Sequence, residues 1–130
     1  MHKPLKGKLA VVTGAGRGIG RSIAVAFAKA GADLVICARS SGPLDEVAAE
    51  ITALGQTCTT ASLDIADAKA IESFCSDIVS AGRSVDILVN NAGIYPERGK
   101  FAVSDPAAWW NTFEVNVRGP YLMTRHLLAA

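Results

Sequence analysis

Length, composition and charge narrow the classes of protein to which this chain can belong. Half of the 130 residues are apolar, which is enough for one buried core, and 13 basic residues nearly balance 12 acidic ones for a net charge of +1. Charges mixed this evenly create no long-range field, so the composition argues against nucleic acid or an anionic membrane as a partner.

Targeting segments and metal sites find no support in the sequence. No run of 18 apolar residues occurs, and the first residues form no apolar segment of signal-peptide length, so we expect a cytoplasmic protein without a membrane partner. The cysteines Cys37, Cys58 and Cys75 are odd in number and lack CxxC spacing. We expect buried, reduced thiols and no metal site.

Short apolar segments alternate along the chain with segments of helical spacing. Residues 9–13, 33–38, 57–63 and 85–90 predict strands, and residues 19–30, 44–54 and 68–81 predict helices, each helix closed by a glycine. This alternation predicts parallel strands joined by right-handed crossovers, and therefore an α/β fold with a doubly wound, Rossmann-type sheet. The segment 57–63 is the least apolar, so we expect it at an edge of the sheet.

The last part of the chain predicts a helix over residues 106–113 and a second apolar helical pattern from Val115 onward. No capping glycine follows that pattern before Ala130. We therefore expect one nucleotide-binding domain over residues 1–130 that is incomplete at its C-terminus, truncated after the fourth strand and the helices that follow. Packing is expected to account for Trp109, Trp110, Phe113 and Tyr121.

A glycine-rich turn follows the first predicted strand directly. Residues 13–20 read TGAGRGIG, and a predicted helix starts at once, so free backbone amides open toward the carboxyl end of the strand. Such a turn suits a pyrophosphate, although a merely tight strand-to-helix turn is the alternative. The frame is TGxxxGxG: Ile19 and Arg21 interrupt the common GxGxxG pattern, and the lysine of a P-loop is lacking.

Three motifs in register resemble the short-chain dehydrogenase/reductase family. They are TGAGRGIG, the NNAG sequence at residues 90–93 and the asparagine of EVNVRGP, and the resemblance covers residues 5–130. It implies that the cofactor lies along Thr13, Gly14, Arg17, Gly18, Ile19, Gly20, Asp64, Ile65, Asn90, Ala92 and Gly93. Two alternatives stay open: Asp64 could belong to the cap region of the next helix, as could Asp67, and the NNAG sequence also steadies the central sheet in this family.

The end of the second strand indicates which nicotinamide cofactor is preferred. A carboxylate at this point binds the adenosine ribose in NAD-dependent relatives, but here Ala38 takes its place and Arg39 and Ser40 follow. By the same resemblance Arg39 and Arg17 bind the 2′-phosphate, so we expect NADP(H) rather than NAD(H). The alternative is that both arginines are merely solvated.

The resemblance implies hydride transfer between the nicotinamide and a small-molecule carbonyl or alcohol, in a homodimer or homotetramer. Asn116 matches the family's catalytic asparagine, whereas the serine and the YxxxK motif are expected beyond Ala130, so we expect the 130 residues alone to be inactive. Tyr121 and Arg125 form YxxxR on the wrong helix and are not a substitute. Tyr95, Pro96 and Glu97 are candidates for the substrate side of the pocket.

Two other classes remain as alternatives to an oxidoreductase fragment. The chain could be a non-catalytic module that binds NADP(H) or a partner subunit. It could also be another doubly wound domain, such as a methyltransferase or a sugar-nucleotide epimerase, although epimerases prefer TGxxGxxG and Arg17 breaks that pattern.

Overall fold

A parallel sheet forms the centre of the molecule. The structure, a computed structural model, describes residues 2–96 and 98–128. In these residues the sheet has the strand order β3-β2-β1-β4. The strands are β1 Leu9–Thr13, β2 Asp33–Ala38, β3 Cys58–Ser62 and β4 Ile87–Val89. The polar strand β3 lies at an edge, as the sequence predicts, and all three pairings are parallel.

Helices connect successive strands and cover both faces of the sheet. They are α1 Gly18–Lys29, α2 Ser41–Ala53, α3 Ala68–Ser80, α4 Pro106–Phe113 and α5 Gly119–Leu128, with a 3-10 turn at Phe101–Val103. Between α4 and α5 the chain forms a π-helix over Glu114–Arg118, called the π turn below. The glycines that follow α1, α2 and α3 all have positive φ, as expected for glycines that end helices.

Two apolar layers hold the helices on the sheet because successive strand residues point to opposite faces. Val11 and Val35 pack with Ile71 of α3 and Met123 of α5 on one face. On the other face, strand residues such as Val12 pack with α1 and α2. The doubly wound α/β fold predicted from the sequence is therefore confirmed.

Element boundaries depart from the sequence prediction by up to three residues: α2 begins at Ser41 and not at residue 44, and two strands are shorter than expected. Residues 57–63 and 85–90 were expected as strands, but β3 covers Cys58–Ser62 and β4 only Ile87–Val89. In the described part of the chain β4 pairs with β1 alone, at three register positions. One further backbone bond, from the Asp86 amide to the Leu9 carbonyl at 2.9 Å, precedes this pairing, but it does not extend the strand, which covers three residues.

Two expectations about burial are wrong. Cys37 and Cys75 are buried free thiols, but Cys58 is only half-buried because its strand lies at the edge. The aromatic residues of the last helices do not pack into the core. Trp109 and Trp110 are 52% and 56% exposed and lie against Phe113, and Tyr121 is also exposed. Helix α4 buries none of its residues in the described structure, and its three aromatic rings stay partly exposed while they contact one another.

An ion pair between Asp33 and Arg83 lies at the end of the sheet where the strands begin. The Asp33 carboxylate accepts hydrogen bonds from Gln56 Nε2 at 3.0 Å, from the Thr57 amide at 3.0 Å and from Arg83 Nη1 at 2.7 Å. Burial alone would raise the pKa of Asp33, but the hydrogen bonds from Thr57 and Arg83 outweigh it and lower that pKa. This cluster stabilises the end of the sheet that lies away from the glycine turn.

Candidate functional site

A cleft of about 360 Å³ opens at the carboxyl ends of the strands, a volume typical of small-molecule sites. Loops after all four strands contribute to it. The residues that line it are Gly14, Gly16, Arg17, Ala38, Arg39, Ser40, Pro43, Leu63, Asp64, Ile65, Asn91, Ala92, Gly93, Ile94 and Val115. Parallel α/β sheets bind ligands at this edge, so we take the cleft as the candidate site.

The glycine turn after β1 brings backbone close to backbone. Gly14 has φ 63°, and a Cβ there would lie 3.0 Å from Ala92 Cα. A Cβ on Gly20 would collide with the carbonyl oxygen of Gly14 and would also lie 2.5 Å from Asn91 Nδ2. Side chains at these two positions would therefore push the turn away from the NNAG loop.

The N-terminus of α1 faces the cleft without a side-chain cap. Arg17 occupies the N-cap position and makes no capping hydrogen bond, and the first turn contains no acidic residue. By contrast, Asp67 and Asp105 cap α3 and α4 by accepting hydrogen bonds from first-turn amides. The free amides of α1 and its helix dipole together favour an anion at this end of the helix.

Thr13 joins the glycine turn to the NNAG loop from behind the cleft. Its side chain is 2% exposed, and Oγ1 accepts hydrogen bonds from the Asn91 amide at 3.0 Å and the Ala92 amide at 2.9 Å. Asn91 Nδ2 in turn donates to the Gly14 carbonyl at 3.1 Å. Thr13 therefore supports the loops that form the cleft and does not line it.

A neutral thiol lies beneath the turn. Burial, with the nearby Cys75 thiol as a second cause, raises the pKa of Cys37 to about 12 despite a hydrogen bond from the Gly14 amide. Cys37 is therefore uncharged at neutral pH. It adds no negative charge that would repel an anion held at the turn.

Two arginines lie at the end of the cleft near β2. Arg17 and Arg39 are both exposed and both line the cleft, as does Ala38. In the described ranges neither guanidinium has a carboxylate within 4.0 Å. Ser40 is the N-cap residue of α2 and makes no side-chain capping bond. This end of the cleft is positive and is not neutralised by the described residues.

Asp64 and Ile65 form another part of the cleft wall. Asp64 Oδ1 accepts a hydrogen bond from the Ala66 amide at 2.9 Å, which makes a local turn before α3. The residue that caps α3 is Asp67, whose Oδ1 accepts from the Ala70 amide at 3.0 Å. The two aspartates therefore have different structural roles, and of the two only Asp64 lines the cleft.

Asn116 lies in the π turn and is bonded to the loop after β4. Its Oδ1 accepts from the Ile94 amide at 2.9 Å, and its Nδ2 donates to the Ile94 carbonyl at 2.7 Å. Single π-helical turns often occur at functional sites because they redirect side chains. Here the turn places buried Val115 on the cleft wall while Asn116 holds the Ile94 segment in place.

The structure brings most, but not all, of the sequence-predicted site residues to the cleft. Those that line it are Gly14, Arg17, Arg39, Ser40, Asp64, Ile65, Ala92 and Gly93, and those that do not are Thr13, Gly18, Ile19, Gly20, Asn90 and Asn116. Asn90 is directed toward α5, where its Nδ2 donates to Thr124 Oγ1 at 3.4 Å. Tyr95 is 98% exposed and Pro96 is also exposed, and neither lines the cleft. Glu97 lies outside the described residues.

Sequence reasoning did not assign six of the lining residues to the site: Gly16, Pro43, Leu63, Asn91, Ile94 and Val115. Gly16 belongs to the glycine motif, and a Cβ on it would lie 3.2 Å from Pro43 Cβ. Its place in the motif could therefore have identified Gly16 as a site residue. The apolar residues carry no sequence signal that separates a cleft wall from a core.

Comparisons with known proteins agree with this geometry. The family model for short chain dehydrogenases matches residues 8–130. The short chain dehydrogenase tazN of Aspergillus terreus is 41% identical over 128 residues, which cover 93% of this chain and 27% of that protein. The chain therefore spans only part of the length of such a relative.

Solved structures of this family superpose closely. A metagenomic short-chain oxidoreductase in complex with NADP has a TM-score of 0.93 and 37% identity, over 97% of this chain and 57% of that one. Carveol dehydrogenase from Mycobacterium avium, in complex with NAD, has a TM-score of 0.90 and 27% identity, over 98% of this chain and 50% of that one. The family model and these likenesses cover nearly the whole chain, and the chain accordingly belongs to the short-chain dehydrogenase/reductase family of oxidoreductases.

Proposed function

We propose that this chain binds NADP(H) in the cleft and forms the cofactor-binding portion of an oxidoreductase that reduces a small-molecule carbonyl or oxidises an alcohol. The observation that carries the preference for the phosphorylated cofactor is the pair Arg17 and Arg39. Both line one end of the cleft, and Ala38 stands there in place of a carboxylate.

The residues present fit such a cofactor. The uncapped N-terminus of α1 would hold the pyrophosphate, because its first-turn amides are free and its first turn carries no acid. Arg17, Arg39 and Ser40 would hold the 2′-phosphate through charge-assisted hydrogen bonds. When bound, the cofactor supplies the hydride, and the protein supplies orientation and electrostatics.

The remaining predicted contacts are part of the same proposal. Asp64 and Ile65 would face the adenine, and Ala92 and Gly93 would lie along the cofactor beside Asn90. Thr13, Gly18, Ile19 and Gly20 would shape the turn around the phosphates, with Thr13 acting through the NNAG loop. One similar structure contains NADP and another contains NAD, so these structures do not distinguish between the two cofactors. The proposed preference for NADP(H) therefore rests on Arg17 and Arg39 of this chain.

Asn116 is the catalytic candidate among the described residues. Its side chain is engaged by both backbone groups of Ile94, so it fixes the loop that continues from Gly93. A proton relay would need an acid or base that the described lining of the cleft does not provide: among the described residues its only carboxylate is Asp64, and none of them is a tyrosine, histidine or lysine. We therefore propose that the 130 residues alone bind the cofactor without transferring hydride.

Isothermal titration of the chain with NADPH and with NADH tests the cofactor assignment. We expect NADPH to bind about tenfold or more tightly, since one charge-assisted hydrogen bond contributes about 1.5–3 kcal/mol. Equal affinities would overturn the role of the arginines, and binding of neither cofactor would overturn the function. Absorbance of NADPH over a panel of ketones and aldehydes checks the second point, because steady oxidation by this chain would contradict its expected inactivity.

Assembly of the whole protein is a further part of the proposal. Trp109, Trp110 and Tyr121 expose apolar rings on α4 and α5 in the described structure. Apolar surface of this kind favours association, in keeping with a homodimer or homotetramer. Sedimentation velocity on the whole protein would test this, and a monomer at all concentrations would contradict it.

A further inference from the structure

We propose that Arg118 is a positioning residue that holds the segment of residues 64–66, called the wall below, against the π turn. Asp64 and Ile65 of this wall line the cleft on the side that we assign to the adenine, and Ala66 follows them directly. Arg118 itself does not line the cleft, so its effect on the cofactor would pass through this wall. The inference rests on the proposed function, because it concerns the part of the cleft that we assign to the adenine.

Arg118 makes the hydrogen bond that joins this wall to the π turn. Its Nη2 donates to the Ala66 carbonyl at 2.5 Å and lies 3.0 Å from Glu114 Oε2. Glu114 and Arg118 are the first and last residues of the π turn, so their ion pair spans the whole turn and fixes the guanidinium. The arginine therefore presents a rigid donor to one backbone carbonyl.

Close packing at the next residue reinforces the contact. A Cβ on Gly119 would collide with Ile65 Cγ2 and would lie 3.2 Å from the Ile65 carbonyl oxygen. The start of α5 thus lies directly against the wall, and only glycine allows this approach. Arg118 and Gly119 hold two successive residues of the wall.

The wall has few other ties to the rest of the molecule. Its other described hydrogen bonds are local, from the Ala66 amide to Asp64 Oδ1 and from the Asp67 amide to the Asp64 carbonyl. Among the described residues, the bond from Arg118 is the only hydrogen bond that joins residues 64–66 to an element outside the connection between β3 and α3. Loss of this bond would leave the wall held mainly by the packing of the Ile65 and Ala66 side chains against the core.

The π turn also reaches the opposite wall. Asn116, two residues before Arg118, makes both of its bonds to Ile94, which lines the cleft on the side of the NNAG loop. One five-residue turn thus fixes two loops that both border the cleft. A rigid link of this kind sets the spacing between the walls on which the cofactor would lie.

Substitution of Arg118 should leave the chain folded. Its Nε is buried without a hydrogen-bond partner in the part of the chain that the structure describes, so removing the guanidinium removes an unsatisfied donor along with the two favourable contacts. Arg118→Met keeps the apolar stem, and Arg118→Lys keeps a charge and one donor group. Arg83→Met is a matched control, because Arg83 is 42% exposed against 40% for Arg118 and loses one ion pair at the far edge of the sheet.

The first measurement needs no ligand. Hydrogen exchange of the full chain is compared at the amides of Ala66 and Asp67 in the wild type, Arg118→Met and Arg83→Met. We expect about tenfold faster exchange at these two amides in Arg118→Met, the equivalent of one net hydrogen bond, and no change there in Arg83→Met. Unchanged exchange in Arg118→Met, or equal acceleration in the control, would overturn the proposed role.

The second measurement reads the consequence for binding. Calorimetry gives the affinities of NADPH and of adenosine 2′,5′-bisphosphate, a probe of the adenine half alone. We expect Arg118→Met to weaken both by about threefold to tenfold, Arg118→Lys to restore part of the loss, and Arg83→Met to match the wild type. Equal weakening in Arg83→Met would reduce the effect to general destabilisation and overturn the proposal.

The two measurements separate this proposal from the proposed function. If the wild type binds neither ligand, the proposed function fails and the link to the adenine fails with it, whatever the exchange data show. If the wild type binds both and Arg118→Met binds as tightly, only the role of Arg118 is wrong.

Discussion

Replacing Thr13 by valine tests how the two loops of the cleft are held together. Valine matches threonine in shape but offers no oxygen to the two amides that Thr13 Oγ1 accepts from. The Asn91 amide keeps a second acceptor, the Val89 carbonyl at 3.1 Å. The Ala92 amide makes its described bond to Thr13 alone, at 2.9 Å, and would be left without a partner.

The expected cost follows from this inventory. One amide left without a partner costs about 1–3 kcal/mol, and the weakened bond of Asn91 adds about 0.5 kcal/mol, so we expect Thr13→Val to lower the free energy of unfolding by about 1.5–3.5 kcal/mol. Thr13→Ser keeps the oxygen and removes one buried methyl group, which costs about 1 kcal/mol. Urea unfolding followed by circular dichroism measures both variants. A valine variant as stable as the serine variant would show that the Thr13 oxygen does not stabilise the NNAG loop.

Three further predictions concern charge, glycine geometry and pH. Arg39→Met should weaken NADPH binding about tenfold in titrations while leaving NADH unchanged, and Arg125→Met, an equal charge change away from the cleft, should alter neither. Gly20→Ala should destabilise the chain and abolish cofactor binding, because the added Cβ would collide with the glycine turn. In Gly42→Ala the added Cβ has no neighbour within 4 Å, so this variant should be about 0.5–1 kcal/mol more stable in urea unfolding. The pKa of Asp33 in the folded chain lies below its ordinary value of 3.8, so the ionised Asp33 stabilises the fold fully above pH 3.8, and this contribution is lost as the pH falls through the lowered pKa. The difference in free energy of unfolding between the wild type and Asp33→Asn should therefore shrink at acid pH. A difference that stays constant with pH would contradict the lowered pKa.

The order of elements was predictable because it depends on local pattern. Apolar runs such as residues 33–38 and glycines such as Gly31 mark where strands and helices begin and end. The polar composition of residues 57–63 also predicted the edge position that β3 occupies. The ends of β4 were not predictable, because they depend on how far its neighbour pairs with it.

Details of the cleft depend on tertiary contacts that no local pattern records. The motif marks Thr13 and Asn90 as site residues, but only the packing directs Thr13 to the NNAG loop and Asn90 to α5. The π turn was not predicted either, because the sequence pattern indicates helical spacing on both sides of Glu114 and does not distinguish a π-helix from an α-helix. The arginines at positions 17 and 39 were predictable, because Arg17 lies within the glycine motif just before α1 and Arg39 directly follows β2.

Mapping the residues that NADPH protects tests directly whether the cleft holds an NADP(H) cofactor. Hydrogen exchange of the full chain should be measured with and without saturating NADPH, with peptides that cover every described element. We expect slower exchange in residues 14–20, 64–66 and 92–94, and no change around Asp33 and Arg83 at the opposite end of the sheet. No protection in the glycine turn, or protection confined to the opposite end, would contradict binding in the cleft.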